Sequence, residues 1–209
     1  MQDTVFFGVF STGLPFWKLF VPIIIAYLLG NVSPSIILGK LHGIDIKKEG
    51  SGNAGTTNAL RVLGKKAAVI TLIIDIGKGV AAVLIGTAVG GIAEVGYLCA
   101  VAVFCGHIWP CFYHFKGGKG VATAFGALLA VNWGLALSAL GVVALGVILT
   151  QRMSVGSLLG AITFPAFCWF MEAEFIIPGS IMALIILIKH RANIKRLLKG
   201  EEPKMSFKK

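Results

Sequence analysis

Charge is scarce in this chain. Asp, Glu, Lys and Arg make up 13% of its 209 residues, against about 25% in ordinary soluble domains. Apolar residues fill 56%. That leaves too little polar side chain to cover a soluble globule and too much apolar side chain for a disordered one. An integral membrane protein remains, with the bilayer as a partner. Acid is scarcer still: Asp and Glu number 9 against 19 Lys and Arg, a net charge of +10. In a soluble protein that excess would suggest nucleic acid. Here the basic residues fall between and after apolar runs, so topology and anionic ligands account for it better, and no nucleic-acid partner is expected. The four cysteines are Cys99, Cys105, Cys111 and Cys168. All lie in apolar runs and none forms C-x-x-C, so they are expected as small buried side chains, not as metal ligands or disulfides. Internal repeats, low-complexity stretches and linkers are missing too, which predicts one domain. A secretory leader is not expected either. Asp3 stands where a positive charge belongs and no cleavage pattern precedes the first long apolar run. Residues 1–18 read as a short extension at the membrane surface.

What is present is a series of apolar runs, near 19–41, 66–91, 94–115, 120–150, 155–171 and 175–189. A spanning helix needs about 20 such residues. The run 120–150 would extend roughly 46 Å as one helix, against a hydrocarbon core of about 30 Å. Asn132-Trp133-Gly134 offers a polar, glycine-containing break, and splitting there predicts a short span and a full one. The expected fold is therefore all-α, a polytopic membrane protein with seven transmembrane helices. Sidedness supports that number. Lys47, Lys48, Arg61, Lys65 and Lys66, then Lys116 and Lys119, then Arg152, then the tail from Lys189 to Lys209 occupy alternate connections; the others carry only Glu94, Glu172 and Glu174. The positive-inside rule then places the C-terminus in the cytoplasm and the N-terminus outside. Residues 19–202 form the membrane domain and 203–209 a basic tail. Glycine numbers 27, and pairs such as Gly86–Gly90 and Gly156–Gly160 suit close helix contacts.

All four basic segments also hold the unusual polar residues. The first runs from Gly50 through Ser51, Gly52, Asn53, Thr57 and Asn58 to Arg61. Its glycines free the backbone, its Ser, Thr and Asn add donors, and Arg61 adds a bidentate fork, a combination suited to phosphate or carboxylate. It is not a Walker A loop, since no G-K-[ST] closes it. The second, Lys116-Gly117-Gly118-Lys119-Gly120-Val121-Ala122-Thr123, leads straight into a span, where unpaired backbone N–H groups favour an anion beside Lys119. In the third, Ser154 reads as the N-cap of the next span, and Ser154 and Ser157 share one helix face. The fourth, Lys189-His190-Arg191-Ala192-Asn193, leaves the last span as a basic helix, with His190, Asn193 and Arg191 able to point back. Inside the second span Asp75 lies roughly 14 Å deep with Lys78 three residues on, a pair expected to be self-neutralising and structural. His107 and His114 flank Trp109-Pro110, whose proline is expected to kink the third span. Both histidines read as core or interface groups.

Gly50-Ser51-Gly52-Asn53 with Arg61, Gly106-His107 ahead of Phe115-Lys116-Gly117-Gly118-Lys119-Gly120-Val121-Ala122-Thr123, and His190-Arg191-Ala192-Asn193-Ile194 together resemble the bacterial acyl-phosphate:glycerol-3-phosphate acyltransferases, the PlsY family. The likeness runs from about Tyr27 to Glu202 and includes Asp75-x-x-Lys78-Gly79. Residues 1–18 precede the usual family start. The resemblance implies a fatty acyl phosphate giving its chain to the 1-hydroxyl of glycerol 3-phosphate, with 1-acyl-glycerol 3-phosphate and inorganic phosphate as products, at the bacterial cytoplasmic membrane. It also implies functional roles for Ser51, Arg61, Lys119, His190 and Asn193, and a phosphate-binding role for Gly117, Gly118 and Gly120. No cofactor or metal is implied, and a monomer suffices.

The His-x-x-x-x-Asp dyad of other glycerolipid acyltransferases is missing, because the residues five after His42, His107, His114 and His190 are Lys47, Phe112, Lys119 and Lys195. An acyl phosphate already carries a good leaving group. The expected chemistry is direct transfer, with Ser51, Asn53, Arg61 and Lys119 on phosphate oxygens. A substrate phosphate takes the proton, and His190 is the alternative base. The competing reading is a transporter or flippase for an anionic phosphorylated solute or lipid.

Overall fold

The computed structural model describes residues 13–205, and every described segment of regular structure is helical. Two parts of the sequence reading, on residues 1–12 and 206–209, lie outside them. Helix α1 (Phe16–Asn31) already includes Phe16–Lys18, which the sequence reading assigned to the extension. The chain breaks at Val32-Ser33 and resumes as α2 (Pro34–Leu41), with Pro34 at the first helical position, where its missing N–H costs nothing. A short α3 (Thr56–Val62) precedes α4 (Lys65–Gly90) and α5 (Ala93–Ile108). Then come α6 (Val121–Val131), α7 (Trp133–Thr150), α8 (Met153–Met171), α9 (Ile176–Lys189) and α10 (Arg191–Leu198).

Among the described residues, five segments are long and apolar enough to cross a bilayer: Phe16–Leu41, Lys65–Gly90, Ala93–Tyr113, Trp133–Thr150 and Met153–Met171. A sixth, Ala173–Lys189, is bent by 52° from Arg191–Leu198. Helix α6 is apolar but has 11 residues, roughly 16 Å of helix, about half a hydrocarbon core. The long run does divide at Asn132. That residue caps α7 by accepting from Leu135 N at 3.1 Å, and donates to Met171 O at 3.2 Å and to Glu172 Oε2 at 2.8 Å. Tyr97 donates to the same carboxylate at 2.6 Å, closing that end of the bundle.

Trp109-Pro110 ends α5 instead of kinking it. Proline has no N–H to continue the ladder, so the chain passes into a single 3-10 turn, Cys111–Tyr113. Cys111 sits in that turn and is exposed, which corrects the expectation that all four cysteines are buried. Packing runs chiefly between α1 and α5, α4 and α6, α7 and α8, and α4 and α5. Small residues set these seams. A Cβ on Gly156 would meet Val143 O at 2.4 Å, and one on Gly160 would meet Val143 Cγ2 at 2.7 Å. On the α4–α5 seam, Gly86 and Gly90 would meet Cys99 and Val95 in the same way. Such contact draws dispersion energy from helix backbones where lipid offers no hydrophobic drive.

The deep pair is seated at the break in the first span. Lys78 Nζ donates to Gly30 O at 3.1 Å, to Val32 O at 2.7 Å and to His107 Nδ1 at 2.9 Å, and lies 2.7 Å from Asp75 Oδ1. The end of α1 leaves carbonyls without helical partners, and the ammonium supplies them. Asp75, Lys78 and His107 are all buried.

Candidate functional site

The 42–55 connection is folded onto α2 by a small separate core of Ile36, Ile46 and Ala54, with Val62, Leu63 and Tyr113 against it. Its shape is held by Asn58, 1% exposed. Asn58 Oδ1 accepts from Ser51 N at 2.8 Å, while Nδ2 donates to Ile46 O at 3.1 Å and Glu49 O at 3.0 Å. Both amide hydrogens are therefore spent inside the loop, and Asn58 has none for a phosphate. Gly50 has φ 59°, and a Cβ there would lie 2.4 Å from Asn58 Oδ1, so only glycine lets the turn close on this amide.

Four connections meet at one cavity of about 390 Å³. Ser51, Asn53, Thr56, Thr57 and Arg61 come from the first, Lys119 and Gly120 from the second, Ser154 and Ser157 from the third, and His190 and Asn193 from the fourth. Glu202 and Pro203 join them from the chain's last described stretch. Below this rim each helix changes character. On α8 the lining runs from Ser154 and Ser157 to Gly160, Ala161 and Phe164; on α9, from His190 back to Ile186, Ala183 and Met182; on α6, from Gly120 to Phe125 and Leu128. Ten residues from Ser154 to Phe164 make roughly 15 Å of helix. The cavity thus has a polar mouth that carries Arg61 and Lys119, with Glu202 at its edge and Asp75 also in its lining, and an apolar body, a shape suited to an amphiphile with an anionic head.

Lys119 is the best-organised cation. Its ammonium donates to Asn193 Oδ1, Asn193 Nδ2 donates to Glu202 Oε1 at 2.6 Å, and Arg196 Nε lies 2.7 Å from Glu202 Oε2. Burial, with Arg196 and Arg61 nearby, pulls its pKa down to about 8 despite Glu202. Burial opposes ionisation of Glu202, but the nearby Ser154 side chain and hydrogen bonds from Asn193 and Arg196 outweigh it and hold its carboxyl below the usual range. The first-turn N–H groups of α6 have no helical partners, and Val121 and Ala122 line the cavity beside Lys119. His190 Nδ1 lies 2.8 Å from Ile186 O. A carbonyl only accepts, so the proton sits on Nδ1 and Nε2 keeps its lone pair.

Several sequence-predicted ligands do other work. Gly117 N donates to Ile108 O and Gly118 N to His107 O, each at 3.1 Å, and neither glycine lines the cavity. Gly52 N donates to Glu49 O at 3.0 Å in an exposed turn. Thr123 is fully buried under α4, where its carbonyl leaves no room for a side chain at Gly79. Arg191 is exposed and away from the cavity. Ser154 is not the N-cap, a position held by Arg152, and Ser157 Oγ donates back to Met153 O at 2.9 Å while lining the cavity. Sequence reading took Gly55 and Thr56 only as part of the first basic segment and missed Glu202. The only available signal for Glu202 was its place, with Glu201, as the acids of a basic tail. No cluster of His, Cys, Asp and Glu suited to a metal occurs among the described residues.

Fold and cavity together define a helical integral membrane protein with a cavity that is polar at its mouth, apolar in its body and rimmed by basic loops. Comparison with known proteins narrows this. Residues 20–200 match the family model described as Glycerol-3-phosphate acyltransferase. A glycerol-3-phosphate acyltransferase of Clostridioides difficile (strain 630) is 45% identical over 196 residues, covering 89% of this chain and 95% of that protein. One from Shewanella loihica (strain ATCC BAA-1088 / PV-4) is 39% identical, covering 90% and 93%. The crystal structure of PlsY (YgiH), an integral membrane glycerol 3-phosphate acyltransferase, in its glycerol 3-phosphate form superposes with a TM-score of 0.84 at 34% identity, covering 89% of this chain and 94% of that one. Its lysophosphatidic acid form gives 0.81 at 33%, covering 90% and 95%. The chain belongs to the glycerol-3-phosphate acyltransferase family, and its structural neighbours are PlsY.

Proposed function

We propose that this chain transfers a fatty acyl group from an acyl phosphate to the 1-hydroxyl of glycerol 3-phosphate, releasing 1-acyl-glycerol 3-phosphate and inorganic phosphate. The observation that carries this reading is the shared cavity, in which two arginine- and lysine-bearing loops form the mouth of an apolar body. Glycerol 3-phosphate and its acylated product differ by one chain, and a cavity of this kind accepts both. In the same reading the chain crosses the membrane seven times, with α6 as a half-length pass, its N-terminus outside and its C-terminus in the cytoplasm. The alternation of basic connections supports this sidedness, which opens the mouth to a soluble acceptor.

The hydroxyl oxygen attacks the acyl carbonyl, the carbon–oxygen bond to phosphate breaks, and the hydroxyl proton ends on the departing phosphate. Arg61 and Lys119 hold phosphate oxygens and offset the charge that gathers on carbonyl and leaving group. Ser51, Asn53, Thr57, Gly120, Ser154 and Ser157 complete the mouth. Asn193 aims Lys119, with Glu202 behind it. The free lone pair of His190 Nε2 is the alternative acceptor for the 1-hydroxyl proton. Holding hydroxyl and carbonyl together supplies much of the acceleration. No base is hydrogen-bonded to Ser51 Oγ among the described residues, which favours direct transfer over an acyl-serine.

Purified protein in detergent, mixed with palmitoyl phosphate and glycerol 3-phosphate, is expected to release phosphate only when both are present. Release with glycerol 3-phosphate and an acyl thioester, but none with palmitoyl phosphate, overturns the donor assignment. Near-normal turnover in His190→Gln removes His190 from the proton path.

A further inference from the structure

His107 touches, on its two edges, parts of the molecule that lie far apart in sequence. On one edge, Lys78 has three ammonium hydrogens and bonds to Gly30 O, Val32 O and His107 Nδ1. Asp75 Oδ1 lies 2.7 Å from the same ammonium, so four partner atoms share its three hydrogens. Asp75 Oδ1, 3.3 Å from Nδ1, completes the cluster. The other edge faces the glycine loop. A Cβ on Gly118 would lie 2.1 Å from His107 Nε2 and 2.7 Å from Ala54 O. Gly118 N also donates to His107 O at 3.1 Å. Gly118 is thus clamped between the imidazole and the first loop, and the next residue is Lys119.

We propose that His107 is a positioning residue for the reaction. The intramembrane Asp75–Lys78 pair fixes its ring, the ring sets the height of Gly118, and Gly118 keeps Lys119 in register with the loop that carries Ser51 and Arg61. A buried ion pair is a poor source of stability by itself, because desolvation offsets the attraction. Its place directly beneath the meeting point of two anion loops gives it a second use. This inference rests on Lys119 as a phosphate contact, as in the function proposed above.

The test is a double-mutant cycle read in two ways: glycerol 3-phosphate binding by calorimetry, and KM for each substrate from phosphate release. His107→Asn keeps an acceptor for Lys78 at the Nδ1 position but removes the ring from under Gly118. It is expected to weaken glycerol 3-phosphate binding and raise its KM on the order of 10- to 100-fold, with the KM for palmitoyl phosphate unchanged. Gly118→Ala pushes on the same contact from the other side and should give the same signature. In a Lys119→Ala background, His107→Asn should add little further loss, since both act through one ammonium. Additive losses, or an unchanged KM with turnover falling only with the folded fraction, overturn the proposal. So does failure of both His107→Asn and Gly118→Ala to fold, which assigns the cluster to packing alone. A wild-type protein that binds glycerol 3-phosphate but releases no phosphate from palmitoyl phosphate ends the acyl-phosphate reading, while the binding cycle still decides the role of His107.

Discussion

Asn58→Ala isolates the scaffold of the first loop from its ligands. The substitution leaves Ser51 N without its acceptor and Ile46 O and Glu49 O without their donors. The Ile46 bond is buried, so its carbonyl loses about 1–3 kcal/mol of hydrogen bonding that water cannot replace, and the two half-buried groups lose about 0.5–1.5 kcal/mol each. The sum is about 2–6 kcal/mol against the ordered loop. At about 1.4 kcal/mol per tenfold, even the lower figure shifts the equilibrium between the ordered and open loop roughly 30-fold. The helical bundle has no part in these bonds and should persist. The expected result is at least a 30-fold fall in kcat/KM for glycerol 3-phosphate in the phosphate-release assay. Helical content by circular dichroism should be unchanged, with faster proteolysis between residues 42 and 55. Turnover within threefold of wild type would refute the assignment of Asn58 as the support of this loop.

Arg61→Lys keeps the charge but loses the planar fork, and turnover is expected to fall at least a hundredfold if phosphate is held bidentately; near-normal rates count against that geometry. Lys119 is charged below its pKa of about 8 and neutral above it. Affinity for glycerol 3-phosphate should therefore decline as pH rises through 8, and this step should vanish in Lys119→Met. A flat affinity from pH 7 to 9.5 contradicts the role of the ammonium. Ala161 lines the apolar body about 10 Å of helix below Ser154. Ala161→Trp should lower kcat/KM at least tenfold with palmitoyl phosphate and leave octanoyl phosphate within threefold; an equal loss with both places the acyl chain elsewhere.

The transition at Asn132 was readable because a polar residue, with a glycine two positions on, interrupts an apolar run too long for one span, and the side chain does cap the next helix. The polar segments were readable because a membrane protein spends polar residues sparingly, so a cluster of Gly, Ser, Asn and Arg stands out. Which members of each cluster face the ligand was not readable. Gly117, Gly118 and Asn58 have the right chemistry for an anion, but their donors are taken by backbone carbonyls of Ile108, His107, Ile46 and Glu49. Competition of that kind depends on which segments fold back on one another. Glu202 escaped notice for the same reason: an acid in a basic tail is ordinary until the tail bends and buries it against Asn193.

Composition and periodicity alone determined that this chain is a helical membrane protein with basic loops on alternate connections, because apolar length and charge placement are local properties read directly by the bilayer. The convergence of those loops on one cavity, the spending of Asn58 and Asn193 on support, and the seating of Asp75, Lys78 and His107 beneath the glycine loop were decided only by the tertiary structure. A hydrogen bond to a carbonyl dozens of residues away exists once helix packing has brought the two together, and nothing in the local sequence records it.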